Sequence, residues 1–119
     1  MLVKTTRTGW FPSQSSFEKF VEHATNTILQ SNKNPKPLGW WFKHKSDEDG
    51  YCVETLMIFM DRDVLTAFNA SGAAQLVKSF TKTLEVVWTD DLITDAPQII
   101  DETKIDDYVS PVSGYTKLY

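Results

Sequence analysis

One segment limits the folds open to this chain more than any other: residues 51–60, YCVETLMIFM, in which Glu54 is the only charged residue. Its β-branched and aromatic content predicts a strand, and its apolar residues occupy both odd and even positions. Because alternate side chains of a strand point to opposite faces, this strand must be covered on both. Helices packed on one face of its sheet would leave the other face needing a second cover.

The rest of the chain predicts three more strands and two helices around this one. We expect strands at residues 2–11, 38–45 and 84–90, and helices at residues 15–31 and 61–84. The segment SDEDG joins the strand at 38–45 to the one at 51–60 as a hairpin turn, since its residues favour turns or tolerate positive φ. The resulting order is strand, helix, strand, strand, helix, strand.

Residues at the helix ends refine these boundaries. Ser15 with Glu18 three positions later is a capping-box signature for the first helix. Asp61 or Asp63 suits the N-cap of the second helix, and the Ser71–Gly72 pair should divide that helix into two pieces.

The βαββαβ order predicts an α+β, ferredoxin-like fold, with a four-stranded antiparallel sheet and the helices on one face. Residues 1–94 should form this domain, and residues 95–119 should be a C-terminal extension that lies along a partner or across a pocket mouth. Within it, the QII and GYTKLY stretches could each add a short strand. A homodimer formed through the helix-free faces would cover the second face of the central strand, because symmetric dimers are the commonest oligomers.

Composition excludes several classes of function. The net charge of -4 argues against a nucleic-acid surface, which needs clustered Lys and Arg. The single cysteine, Cys52, fits no zinc motif, and the chain has no phosphate loop, dinucleotide fingerprint or nucleophile motif. Neither a signal peptide nor a membrane span is evident, so we expect a cytoplasmic protein. The missing motifs predict that it uses no metal or cofactor.

The chain resembles the dimeric α/β barrel superfamily, and within it the antibiotic biosynthesis monooxygenase-like group. The resemblance rests on GWW at 39–41, ETLMIFMDRDVLTAFNAS at 54–71 and LEVVW at 84–88. It implies a homodimer whose sheets close into a barrel, with a pocket between sheet and helices in each subunit. Some members oxidise phenolic substrates with O₂ and no cofactor, using Asn, Trp and sometimes His or Arg. Others cleave haem, isomerise or cyclise small molecules, but the haem-ligating His of the haem branch is missing from GAAQLVKSF at 72–80.

Four aromatic residues are candidates for the wall of such a pocket. Trp40 and Phe42 share one face of their predicted strand, while Phe68 and Trp88 belong to segments that should meet it. Small-molecule pockets are mainly apolar, so these rings would bind a small aromatic molecule. The alternative is that Trp40 and Phe42 serve only as core residues.

Three polar residues are candidates for catalysis. His44 could transfer protons if it turned inward beside the rings, and Glu54 could act as a general base. Asn69 could hold a substrate oxygen. Each has a structural alternative: His44 as a surface residue, Glu54 paired with Lys43 or Lys45 across the hairpin, and Asn69 at a helix end.

The resemblance therefore implies a cofactor-independent monooxygenase acting on an aromatic or polyketide-like phenol or quinol in that pocket. The alternatives are a non-catalytic dimeric module that binds a small ligand, or an isomerase or cyclase of the same fold. Fold alone does not decide among them.

Overall fold

The computed structural model describes residues 2–30, 35–96, 105 and 114–119. Its strands are β1 (Val3–Phe11), β2 (Gly39–Ser46), β3 (Tyr51–Phe59), β4 (Val87–Trp88), β5 (Leu92–Asp95) and β6 (Thr116–Lys117), and its helices are α1 (Gln14–Gln30), α2 (Arg62–Ala70) and α3 (Gly72–Thr83). None of these helices is both long and apolar enough to cross a membrane.

The strands form one antiparallel sheet in the order β4-β1-β3-β2-β6, with β5 also paired to β1. The first four strands in this order are the ferredoxin-like arrangement, so the predicted α+β fold is confirmed. Strand β6 lies in the predicted GYTKLY segment and extends the sheet beyond β2. The predicted QII strand lies outside the described residues.

Two of the three predictions about the helix ends are confirmed. Asp61 caps α2 by accepting a hydrogen bond from the Val64 N–H at 2.9 Å, as predicted. Ser71 ends α2 and begins α3, so the predicted break is confirmed. The capping box at Ser15 is wrong, because α1 already begins at Gln14 and the Ser13 hydroxyl accepts the N–H of Ser16.

The predicted strand at residues 84–90 is much shorter than expected. Leu84 caps α3, and Glu85 has a φ of 60°, which turns the chain before a strand can begin. Pairing with β1 starts at Val87, pauses after Trp88 and resumes at Leu92. The edge of the sheet beside β1 is therefore made of two short strands.

Most of the core lies between the sheet and the helices. Odd-numbered residues of β1 and β3 face the helices, and α1 presents its apolar stripe to them. The buried members of this core are Val3, Phe11, Phe17, Phe20, Ala24, Ile28, Trp40, Val53, Phe59, Leu65 and Phe68. Their rings form edge-to-face and tilted pairs, such as Phe20 with Trp40 at 5.6 Å between centroids.

The helix-free face of the sheet is partly covered by the chain's own C-terminal residues. Trp41, Leu56 and Ile58 are buried there in a second cluster with Ala96 and Ile105. The expectation that this face is bare within one chain is therefore wrong, because the chain covers part of it itself. The predicted domain boundary after Thr94 falls inside β5, and a separable extension at 95–119 stays a prediction.

Another part of the helix-free face remains exposed beside the short strands. Val87 pairs with Trp10, and Leu92 pairs with Thr6, so these side chains point away from the helices. Trp10, Val87 and Leu92 are all exposed. These three residues are the apolar edge patch.

We predict that Ile105→Ala lowers the free energy of unfolding by about 2–5 kcal/mol, the usual cost of truncating a buried aliphatic side chain. Ile105 is 5% exposed and belongs to the cluster on the helix-free face. The matched control is Leu76→Ala, because Leu76 is 60% exposed on α3. Urea unfolding measures both, and equal effects would mean that Ile105 does not anchor the C-terminal residues.

Candidate functional site

A cavity of about 490 Å³ lies between the helix-facing side of the sheet and helices α2 and α3. Its volume falls in the range of small-molecule sites, about 300–1,000 Å³. The side chains that argue for a site are Thr5, Arg7, Trp40, Thr55, Phe68 and Trp88, which all line it. Asn69, Lys78, Lys82, Asp90 and Asp91 lie among its other lining residues.

The Trp88 ring is positioned by a glycine in the neighbouring strand. Gly9 pairs directly with Trp88, and a Cβ at position 9 would lie 2.6 Å from the Trp88 ring. The missing side chain thus lets the indole lie across β1. Phe11 and Phe20 contact the same indole, each with 5.6 Å between ring centroids.

Arg7 brings a positive charge to the cavity wall. Its side chain is 33% exposed, and its Cζ lies 3.8 Å from the centroid of the Trp88 ring, which is a cation–π contact. The Asp91 Oδ1 is 3.8 Å from the Arg7 Nε, which is too far for a hydrogen bond. Burial lowers the pKa of Arg7, while the charge of Asp91 acts in the opposite direction.

The centre of the sheet is polar on its helix-facing side. Arg7 pairs with Thr55 across β1 and β3, and Thr5 lies two residues before Arg7 on the same face. Both threonines are buried and line the cavity. Apolar residues flank this polar strip, with Val3 and Phe59 at one end and Phe11 and Val53 at the other. A polar strip inside an otherwise apolar sheet face points to a binding surface.

Two indole N–H groups in this region lack a hydrogen-bond acceptor within the described part of the chain. The Nε1 atoms of Trp40 and Trp88 are buried and have no partner among the residues that the structure describes. Buried polar groups normally have one, and an unmet donor is costly. Since both residues line the cavity, a ligand with oxygen acceptors could satisfy these donors.

The structure gathers four of the seven predicted site residues at this cavity. Trp40, Phe68 and Trp88 lie in its wall, and Asn69 lies at its exposed side. The backbone carbonyl of Asn69 accepts a hydrogen bond from Gln75 Nε2 at 3.0 Å. The Asn69 amide remains a candidate for contact with a ligand.

Phe42 and His44 are on the predicted face of β2 but do not line the cavity. Phe42 packs in the core against Phe17, with 4.9 Å between the ring centroids. His44 lies nearer the hairpin end, stacked 4.3 Å from Tyr51 and within 3.0 Å of Asp47 Oδ1. The structure therefore does not bring His44 together with the cavity residues.

Glu54 points to the side of the sheet opposite the cavity. It pairs with Lys43 at 4.0 Å and Lys45 at 3.6 Å, as the structural alternative predicted. The Tyr115 hydroxyl donates a hydrogen bond to the same carboxylate, and burial together with Glu54 raises the pKa of Tyr115. Glu54 thus fastens the C-terminal residues to the helix-free face.

The sequence analysis missed Arg7, Thr5 and Thr55 as cavity residues. The sequence of β1 contained the necessary information. Arg7, Val3 and Phe11 all occupy odd-numbered positions, so their side chains must lie on the same face of the strand. Among the described residues, no group of three or more His, Cys, Asp or Glu side chains could hold a metal ion.

Comparison with known proteins shows which solved structures share this fold. No protein family profile matches the sequence, and no curated protein does. Solved structures do match: SnoaB, a cofactor-independent oxygenase from Streptomyces nogalater, aligns with a TM-score of 0.64 over 83% of this chain and 96% of its own, at 13% identity. The chain has the fold of the antibiotic biosynthesis monooxygenase-like proteins.

Two further structures extend this likeness. A candidate antibiotic biosynthesis monooxygenase from Deinococcus radiodurans aligns with a TM-score of 0.56 over 85% of this chain and 97% of its own, at 14% identity. A dimeric ferredoxin-like protein from an uncultured marine organism aligns with a TM-score of 0.60 over 83% and 98%, also at 14% identity. At these identities the likeness is one of fold.

We predict that Gly9→Ala destabilises the protein by about 1–3 kcal/mol, the usual cost of overpacking, because the new Cβ meets the Trp88 ring. Gly72→Ala is the control, since a Cβ there meets nothing within 4 Å and alanine favours the helix. Thermal unfolding compares the two variants. A Gly9→Ala protein as stable as the Gly72→Ala protein would contradict the assigned position of the Trp88 ring.

Proposed function

We propose that this protein binds a small planar aromatic molecule in the cavity and oxidises it with O₂, without a bound cofactor. The observation that carries the proposal is a pair of buried indole N–H groups with no acceptor among the described residues, in the wall of a cavity large enough for such a molecule. The shared fold with SnoaB, a cofactor-independent oxygenase, supports the choice of reaction.

The walls suit a flat, electron-rich substrate. Phe68 and the two indoles supply apolar surface, and aromatic rings pack well against such surface. The N–H groups of Trp40 and Trp88 would donate hydrogen bonds to the substrate's oxygens. Those bonds strengthen as negative charge develops on the oxygens, which favours formation of a phenolate or enolate.

The chemistry balances with O₂ as the only oxidant. An anthrone-like CH₂ group loses a proton to water to give an enolate, and a C–O bond then forms between the enolate carbon and O₂. With a second proton this gives a hydroperoxide, whose O–O bond breaks with loss of water and leaves a C=O group. The substrate supplies all four electrons, so no external reductant is needed. The protein's part is to bind the substrate and stabilise its anion.

A non-catalytic binding module is the second candidate. It is favoured by the lack of a buried proton-transfer group among the described residues that line the cavity. Among the described residues, the cavity is lined by no histidine, and its carboxylates, Asp90 and Asp91, are exposed. His44 and Glu54 lie outside it, so neither is proposed here as the base. Substrates of an oxygenase with this site must therefore be acidic enough to lose their proton to water without a general base from the protein.

Oxygen uptake with anthrone, corrected for the spontaneous rate, tests the proposed reaction. We predict that Trp40→Phe lowers kcat/KM by about 10- to 100-fold, the effect of losing one hydrogen bond to a charged group. Trp10→Phe is the matched control, because it removes an indole on the opposite face of the sheet. His44→Ala and Glu54→Gln should also leave the rate unchanged. Ligand binding without oxygen uptake would favour the binding module.

We further propose that the protein is a homodimer that pairs through the helix-free faces. The apolar edge patch of Trp10, Val87 and Leu92 is an exposed apolar part of that face, and exposed apolar patches mark interaction surfaces. The marine protein of the same fold is described as dimeric, which supports a second copy as the occupant.

We predict that Leu92→Asp shifts the protein from dimer to monomer, because a carboxylate cannot be buried unpaired in an apolar interface. Leu92 is 63% exposed within one chain, so the monomer should stay folded. Leu76→Asp, at a similarly exposed site on α3, should leave the dimer intact. Light scattering across a dilution series distinguishes the two, and a monomeric parent protein would contradict the proposal.

A further inference from the structure

Arg7 is a cation on the cavity wall whose N–H donors are available to a ligand as far as the described residues are concerned. Its guanidinium donates no hydrogen bond to any acceptor among the described residues, and its ion pair with Asp91 is 3.8 Å long. A guanidinium carries five N–H donors in a planar fork that matches an anionic oxygen pair. The structure thus holds a charged donor group in a place where a ligand would meet it.

Trp88 keeps this guanidinium in position. The indole lies against Arg7 on one side, with Cζ 3.8 Å from the ring centroid, and its own place is set by Gly9. A stacked guanidinium uses its face for the ring and keeps its N–H edges for hydrogen bonds. Arg7 is therefore oriented before any ligand binds, which lowers the entropic cost of binding.

The surroundings favour an anionic ligand over a neutral one. The cavity is lined by three cationic side chains, Arg7, Lys78 and Lys82, and by two anionic ones, Asp90 and Asp91. This balance is opposite in sign to the chain as a whole, whose net charge is -4. The hydroxyls of Thr5 and Thr55 flank Arg7 on the sheet and add neutral hydrogen-bonding groups.

We propose that Arg7 is the anion-binding residue of this cavity, and that the ligand is a planar aromatic anion with its charge on oxygen. The charged oxygen binds the Arg7 guanidinium while the ring system lies among Trp40, Phe68 and Trp88. Asp91 is the resident counter-ion, and it competes with the ligand for Arg7. The inference rests on the proposed function only in taking the cavity as the ligand site.

A matched pair of ligands tests the charge requirement. The probe 2-hydroxy-1,4-naphthoquinone is a vinylogous acid that is ionised at neutral pH, and 2-methoxy-1,4-naphthoquinone is its neutral analogue of similar shape. Isothermal titration calorimetry without O₂ measures binding apart from turnover. The parent protein should bind the anion at least about tenfold more tightly than the neutral analogue.

Two substitutions should move this preference in opposite directions. Arg7→Met should weaken binding of the anion by about 10- to 100-fold and leave the methoxy analogue within about twofold. Asp91→Asn should tighten binding of the anion, because it removes the competing carboxylate. Arg62→Met is the control, since Arg62 is an exposed arginine that pairs with Asp95 and does not line the cavity.

Three outcomes would overturn the inference: equal affinity of the parent protein for both probes, equal weakening of both by Arg7→Met, or no binding of the anion at millimolar concentration. If Arg7→Met does not fold, Asp91→Asn carries the test, and unchanged or weaker anion binding in that variant counts against the inference. A protein that prefers the anion but consumes no O₂ overturns the proposed oxidation and leaves the anion site standing.

Discussion

The pairing of β1 with β3 determines where everything else in this domain lies. Nine residue pairs run without interruption from Val3 opposite Phe59 to Phe11 opposite Tyr51. Since side chains alternate across a strand, this one register divides the residues of both strands between the helix side and the helix-free side. It places Arg7 and Thr55 together in the cavity, and it sends Glu54 to the opposite face. A shift by one residue would exchange the two sets.

The helix-forming and strand-forming patterns predicted the fold well, because they depend on local periodicity. The first helix and the break at Ser71 are local features, and both were found within one residue of their predicted positions. The cover of Trp41 and Ile58 by Ile105 depends on a contact between distant parts of the chain, which periodicity does not encode. The same limit explains the short fourth strand, whose start depends on a positive φ at Glu85.

The candidate site was predicted in part, and the errors have a common cause. The alternation of odd and even positions in a strand shows which residues share a face, but it does not show which face meets the helices. Glu54 was therefore proposed as a base although its partners lie on the helix-free side. His44 has the correct parity and lies too far along the strand, where it stacks on Tyr51. Arg7 was missed although its odd-numbered position puts it on the same face of β1 as Val3 and Phe11.

The contact between Gly9 and Trp88 links two positions that are far apart in the chain. The indole occupies the volume that any side chain at position 9 would need. Substitution at either position alone therefore disturbs the other, so the two positions should covary among relatives that keep this arrangement. The pattern to look for is an Arg and a Gly two residues apart in the first strand, with a Trp opposite that Gly. A chain of this fold with that pattern should place its guanidinium against the indole in the same way. Relatives with a larger residue at position 9 should bind a different class of molecule.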